Sequence, residues 1–285
     1  MAEVNRPIEL TEDDFQAFRD MIYRSIGVNL TEAKRALTIS RLSRRLKELQ
    51  LQTIGEYLRY VEKNPGELEI MFNLITTNVT KFFRESHHFD FLNQEYLPHL
   101  EAMASSDQDK QIRAWSAGCS TGEEPYTMAI VLNEFFSKKK GWKIKILASD
   151  INTETLKKAA EGVYSRKEVE GISYPLLKKY FKLGTGSNEG LFKVKDELKR
   201  LVTFRRVNLT AEEDFPIKQG LNFIFCRNVF IYFDKETQTR VLRKFNAHLV
   251  PGGVLMLGHS ESINSTHGNP GNWRLLKHTI YEKIP

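Results

Sequence analysis

The sequence predicts an α/β fold: a mostly parallel sheet with an antiparallel edge, preceded by an all-helical domain. Three observations predict it. From Ile112 onward, short apolar runs alternate with amphipathic segments of helix length, the pattern of strand–helix units in a parallel sheet covered on both faces. The first ~75 residues carry only helical periodicity. Residues 180–195 (YFKLGTGSNEGLFKVK) interrupt the alternation with three glycines and short apolar–basic alternation. That segment predicts small antiparallel strands inserted in the main sheet.

In the helical part, Thr11 caps a helix that puts Phe15, Phe18, Ile22 and Ile26 on one face and stops at Gly27. In the next, Ile39, Leu42, Leu46 and Leu49 share a face. Two further helices are expected, from Thr53 to Val61 and from Pro65 to about Thr76. NVTKFFR (78–84) links this domain, 1–76, to a helix over about 86–100. The α/β domain then occupies 101–285. Its expected elements are strand 112–117, helix 123–139, strand 144–149, helix 153–161, strands 201–207 and 222–227, helix 235–249, strand 253–258 and a last strand around 274–282.

Composition narrows the function. Of 285 residues 41% are hydrophobic, enough for a real core. No apolar run approaches the ~18 residues of a membrane helix, and MAEVNRPIELTEDDF has no export pattern. Cys119 and Cys226 are the only cysteines, so no disulfide framework is expected. These features predict a soluble, cytoplasmic protein. The net charge is +6. Most of the excess lies between residues 31 and 50, where Lys34, Arg35, Arg41, Arg44, Arg45 and Lys47 stand against Glu32 and Glu48. Lys34, Arg41 and Arg45 fall on one helical face. That face lacks interleaved aromatics for base stacking, which argues against nucleic acid. No HExxH or CxxC spacing occurs, so no metal site is expected.

The turn SAGCSTGEEPY, Ser116 to Tyr126, joins a strand to a helix. It lacks the lysine of a P-loop and the third glycine of a dinucleotide fingerprint. Glu123 and Glu124 already satisfy the positive end of the helix and would repel phosphate. The implied ligand approaches backbone at Gly118 and Gly122 and is cationic rather than phosphorylated. S-adenosylmethionine has those properties: a sulfonium, an ammonium and an adenosine without phosphate. Asp150, at the end of the next strand, is placed to accept from ribose hydroxyls. Arg227 and Asn228 lie beyond the end of a later strand, where ligands of open parallel sheets sit.

The motifs NVTKFFRE, WSAGCSTGEEPY, ASDIN, FCRNVFIYFD and GGVLMLGHSES, in that order, resemble the bacterial chemotaxis receptor methyltransferases of the CheR type. With the N-terminal helices the resemblance covers nearly the whole chain. It implies a Rossmann-like methyltransferase domain with an inserted β-subdomain over about 166–200, and methyl transfer from S-adenosylmethionine to glutamates on the cytoplasmic helices of chemoreceptors, at receptor arrays. By motif, Asn78, Thr80, Arg84, Gly118, one of Glu123 and Glu124, Asp150, Asn208, Leu209, Arg227 and Asn228 should hold the cofactor, with Glu124 slightly favoured. Tyr232 matches the family tyrosine near the transferred methyl, and Arg84 and Tyr232 are the candidate orienting groups. Lys34, Arg41 and Arg45 would dock acidic receptor helices. The insert, 184–195, is similar to that of members that hold a receptor C-terminal peptide. The competing expectations are a nucleic-acid methyltransferase, a cofactor-sensing adaptor without turnover, and a nicotinamide oxidoreductase.

Overall fold

The structure is a computed structural model that describes residues 11–32, 35–106, 110–218, 220–265 and 270–285. The chain divides into two compact units: 1–77 with 232–234, and 78–231 with 235–285.

In the first unit, α1 (Glu12–Ile26) begins where the Thr11 side chain accepts from the Asp14 N–H at 3.1 Å. Glu12, Asp13 and Asp14 in its first turn suit the helix dipole. Gly27, at φ 65°, ends the helix and returns its N–H to the Tyr23 carbonyl. Helix α2 (Arg35–Glu48) buries Thr38, Leu42 and Leu46, while Ile39 and Leu49 are half-buried. A capping box between Thr53 and Glu56 starts α3 (Ile54–Lys63). Pro65 opens α4 (Pro65–Ile75). Phe15, Phe18, Ile22, Leu42, Leu46, Ile54, Tyr57 and Met71 are fully buried in this unit.

Beneath them lies a polar lock. Glu67 is 4% exposed and accepts two bonds from Arg45, at 2.8 and 2.7 Å, and one from the Tyr57 hydroxyl at 2.9 Å. Burial beside Glu67 pushes the Tyr57 phenol well above its ordinary range, so it stays a donor. Arg41 caps the far end of α4, its guanidinium donating to the carbonyls of Leu74, Ile75 and Thr76.

The second unit opens with α5 (His87–Phe91), a π turn over Leu92–Tyr96 and α6 (Leu97–Met103). The expected single helix over 86–100 is therefore wound more loosely in its middle. Then follow β1 (Gln111–Ala117), α7 (Glu123–Phe136), β2 (Lys143–Asp150) and α8 (Thr153–Glu161). Next come β3 (Val163–Ser165), α9 (Tyr174–Tyr180), β4 (Phe181–Leu183), β5 (Leu191–Val194), α10 (Asp196–Lys199) and β6 (Val202–Arg206). The chain ends with β7 (Leu221–Cys226), α11 (Lys235–His248), β8 (Leu249–Leu257), β9 (Trp273–Lys277) and β10 (Ile280–Lys283).

Seven strands form one sheet in the order β6-β2-β1-β7-β8-β10-β9. The first five are parallel, and β10 and β9 are antiparallel to their neighbours. The last strand expected around 274–282 is thus a hairpin. Thr279, at φ 58°, turns the chain between its two halves. The insert forms a separate sheet, β3-β5-β4. It recruits β3, ahead of the 166 start expected, because Tyr164 pairs with Phe192 and is fully buried. Between the sheet and α7 lies an apolar core that includes Ile112, Met128, Ile146 and Phe223. Trp115, also fully buried, donates its indole N–H to Ser149 at 2.9 Å.

Strand β1 is followed by β2 on one side and flanked by β7 on the other. The winding reverses there, and the crevice beyond the carboxyl ends of such strands is where open sheets bind ligands. Among the described residues no helix is long and apolar enough to cross a membrane.

Candidate active site

Four segments of the second unit meet at that crevice: the turn after β1, the ends of β2 and β7, and the linker 78–85. Ser120, at φ 49°, gives its N–H to Asp150 at 2.8 Å. Its hydroxyl donates to the Asn78 carbonyl at 3.1 Å and so ties the linker to the turn. The Phe83 N–H reaches Thr127 on α7 at 3.2 Å, and the Arg84 carbonyl accepts from Arg227 at 2.6 Å. The linker bends through two residues at φ 53°, Phe83 and Glu85, and Asn228 beside Arg227 sits at φ 60°. Non-glycine residues in this region are strained, and here they gather in the segments around one crevice.

The turn glycines serve the protein. A Cβ on Gly118 would lie 2.4 Å from Val229, and one on Gly122 would lie 2.8 Å from the Tyr164 hydroxyl and 2.9 Å from Ala159. Both also hold positive φ, at 90° and 98°. Chain packing and backbone conformation already require glycine at both positions.

The two glutamates of the turn differ. Glu124 accepts from Ser116 at 2.6 Å and from Arg227 Nε at 2.7 Å. Glu123 accepts from Thr121 at 2.7 Å, and burial pushes its carboxyl above the usual range. Lys158 and Glu168 act on Glu123 electrostatically, so it belongs to the side facing α8 and the small sheet. Glu124 belongs to the crevice. Asp150 is 9% exposed and accepts from the N–H groups of Ser120 and Asn152. Burial raises its carboxyl, and those backbone donors partly offset the rise. A carboxylate has about four acceptor positions, so Asp150 retains capacity for ribose hydroxyls. Past β6, Asn208 accepts from the N–H and hydroxyl of Thr210, and Leu209 is buried. Thr80 is half-buried beside the exposed Val79. Arg84 donates to the Val79 carbonyl at 2.8 Å.

Arg227 is the hub. Its side chain is 2% exposed. It bonds Glu124, the Arg84 carbonyl and His88 Nδ1, and packs over the rings of Phe89 and Phe225. Burial and the adjacent guanidinium push the His88 pKa down to about 2. The ring is neutral. It accepts from Arg227 at Nδ1, so its proton sits on Nε2, which donates to Thr279 at 2.9 Å. Glu85 Oε2 lies 3.7 Å from both Arg227 and His88 Nδ1, buried and without a hydrogen-bond partner among the described residues.

Of the expected site residues, Asn78, Thr80, Arg84, Gly118, Glu124, Asp150, Arg227 and Asn228 belong to these converging segments. Tyr232 groups with the helical unit, where its carbonyl accepts from the Asn29 N–H at 2.8 Å. Lys34 lies outside the described residues. Arg41 and Arg45 are engaged inside the helical unit, as described above. The exposed cations of α2 are Arg44 and Lys47. Both thiols are buried and pushed well above their ordinary range, which removes Cys119 and Cys226 as nucleophiles.

The donor set fits S-adenosylmethionine. The crevice gathers the carboxylates of Glu85, Glu124 and Asp150, suited to a cationic ligand with ribose hydroxyls. Residues 78–279 match the family model described as the CheR methyltransferase SAM-binding domain, and residues 13–76 match the CheR methyltransferase all-alpha domain. The chain belongs to the CheR methyltransferase family. It is similar to chemotaxis protein methyltransferase 2 of Pseudomonas aeruginosa, 44% identical over 92% of this chain and 91% of that one. It is likewise similar to the chemotaxis protein methyltransferases of Borreliella burgdorferi, 40% identical over 91% of each chain, and Escherichia coli, 39% identical over 93% and 89%. CheR membership sets aside the nicotinamide and nucleic-acid readings.

Sequence reasoning missed Ser120, Glu85 and His88. Ser120 and Glu85 stand inside motifs already singled out, next to predicted residues. His88 gave no signal, since its partners Arg227 and Thr279 are far away in sequence.

Proposed function

We propose that this CheR protein methylates glutamate side chains on chemoreceptors, using the crevice at the end of β1 for S-adenosylmethionine. The carrying observation is the group of carboxylates at the reversal point of the sheet, beside a turn, SAGCSTGEEPY, whose sequence has no lysine, in a chain of this family. S-adenosylmethionine, when bound, supplies a methyl group on a cationic sulfur. Asp150 accepts from the ribose hydroxyls. Glu124, fixed by Ser116 and Arg227, holds negative charge on the side where the ammonium and sulfonium belong. Arg84, tethered to the Val79 carbonyl, pairs with the amino-acid carboxylate.

The acceptor needs no base. A glutamate side chain has a pKa near 4.3 and is ionised at neutral pH. The protein must align carboxylate and methyl and exclude water, which supplies several kcal/mol. Tyr232 and Arg84 orient the incoming carboxylate. The exposed cations of α2, Arg44 and Lys47, meet acidic receptor helices in place of the engaged Arg41 and Arg45. Strand addition at the edge of the β3-β5-β4 sheet would hold a receptor tail.

Calorimetry with S-adenosylhomocysteine tests the cofactor assignment. Asp150→Ala should weaken binding about 10- to 100-fold, the loss of hydrogen bonds to a charged group. An unchanged Kd in that folded variant refutes the ribose role.

A further inference from the structure

Beyond β8, the segment GHSES holds Glu261, a carboxylate with no part in the site described so far. It is 6% exposed. Oε2 accepts from the N–H groups of Gly258 at 2.6 Å and Asn228 at 2.9 Å. Oε1 accepts from the Ile231 N–H at 3.2 Å. The acceptor is therefore a side chain from the loop after β8, while its donors Asn228, Phe230 and Ile231 lie in the segment that follows β7. That segment has no ladder to hold it. Asn228 stands at φ 60°, and a 3-10 turn runs over Phe230–Tyr232. Gly258 closes the arrangement from behind. A Cβ there would lie 2.7 Å from Asn228 N and Nδ2 and 2.8 Å from Glu261 Oε2.

We propose that Glu261 is a positioning residue for methyl transfer. Its two oxygens act on two parts of the site, Oε2 on the cofactor-binding Asn228 and Oε1 on the turn that carries Tyr232. The assignment rests on the cofactor role that the family resemblance implies for Asn228 and on the tyrosine role proposed above. A buried carboxylate suits the task because all its lone pairs accept, and every group around it is a backbone donor. An amide would turn a second donor toward one of the two arms.

The arms predict a split. In Glu261→Gln the single oxygen stays with the two closer donors, Gly258 and Asn228, and the amide nitrogen faces Ile231. Turnover should fall about tenfold while the Kd for S-adenosylhomocysteine holds within about threefold, since one bond to a charged acceptor is lost. Glu261→Ala releases both arms and should lower turnover and weaken Kd, each about tenfold or more. A Glu261→Gln protein with wild-type turnover overturns the proposal, as does a folded Glu261→Ala protein with wild-type Kd. If Glu261→Ala does not fold, Gly258→Ala decides: it crowds the same contacts from just past β8, should weaken Kd, and an unchanged Kd overturns the Asn228 arm. Calorimetry needs no acceptor. If the wild type binds S-adenosylhomocysteine but methylates no receptor, the functional reading fails while the Kd measurements still judge Glu261.

Discussion

Removing Arg227 tests the architecture of the site most severely. Among the described residues its guanidinium is the one cation bonded to Glu124, whose side chain is 9% exposed, and it also bonds the Arg84 carbonyl and His88. In Arg227→Met the shape is largely kept, but Glu124 retains only its bond from Ser116. Breaking a buried ion pair from one side costs about 3–5 kcal/mol, because a charge is left in a low-dielectric site. For a unit of this size about 1 kcal/mol moves Tm by roughly 2–4 °C, so a fall of about 6–20 °C is expected. The assay is urea and thermal unfolding by circular dichroism of wild type, Arg227→Met, Glu124→Gln and the double variant. The double variant should recover about 1–3 kcal/mol of the summed losses. A single-variant loss below about 1 kcal/mol, or strict additivity, refutes the hub.

The neutral His88 makes stability depend on pH. Its folded pKa, about 2, lies below the unfolded value near 6.5, so the unfolded chain binds the proton first. Its contribution is complete above about pH 6.5 and is lost as pH falls, at about 1.4 kcal/mol per unit. His88→Gln should flatten the stability slope between pH 6.5 and 5 by one proton, and identical slopes would contradict the assignment. In the helical unit, Arg45→Glu turns a carboxylate against the buried Glu67 and should cost about 3–5 kcal/mol in urea unfolding. An unchanged midpoint would refute the lock. Arg44→Glu with Lys47→Glu should instead leave the midpoint and the S-adenosylhomocysteine Kd alone and raise the KM for receptor. Equal KM values would remove these cations from docking.

Local signals made most of the fold legible. Thr11, the Thr53–Glu56 box, Pro65 and Gly27 mark helix ends through contacts a few residues long, and they stand where periodicity put them. The parallel strands were legible because burial on both faces leaves continuous apolar runs. The β9–β10 hairpin was hidden because its turn, His278-Thr279, carries neither glycine nor proline, and Thr279 holds φ 58° with its hydroxyl on His88. In the site, the residue types were readable and the pairings were not. Arg41 and Arg45 share a helical face with Lys34 in sequence, yet their heads turn to α4, because the unit has a buried carboxylate and a row of helix-end carbonyls to satisfy. The packing need for Gly122 was hidden because Tyr164, which fills the space beside it, stands some forty residues away. Glu261 stands in the motif GGVLMLGHSES, yet its pairing is silent in sequence because its donors are backbone N–H groups, and these carry no residue signature.

The most direct test of the central claim uses methyl-labelled S-adenosylmethionine and membranes that contain chemoreceptors. Label should enter receptor protein and leave it as volatile methanol in alkali, the behaviour of a glutamate methyl ester. Label that stays on the protein in alkali, or no label from a preparation that binds S-adenosylhomocysteine, would contradict it.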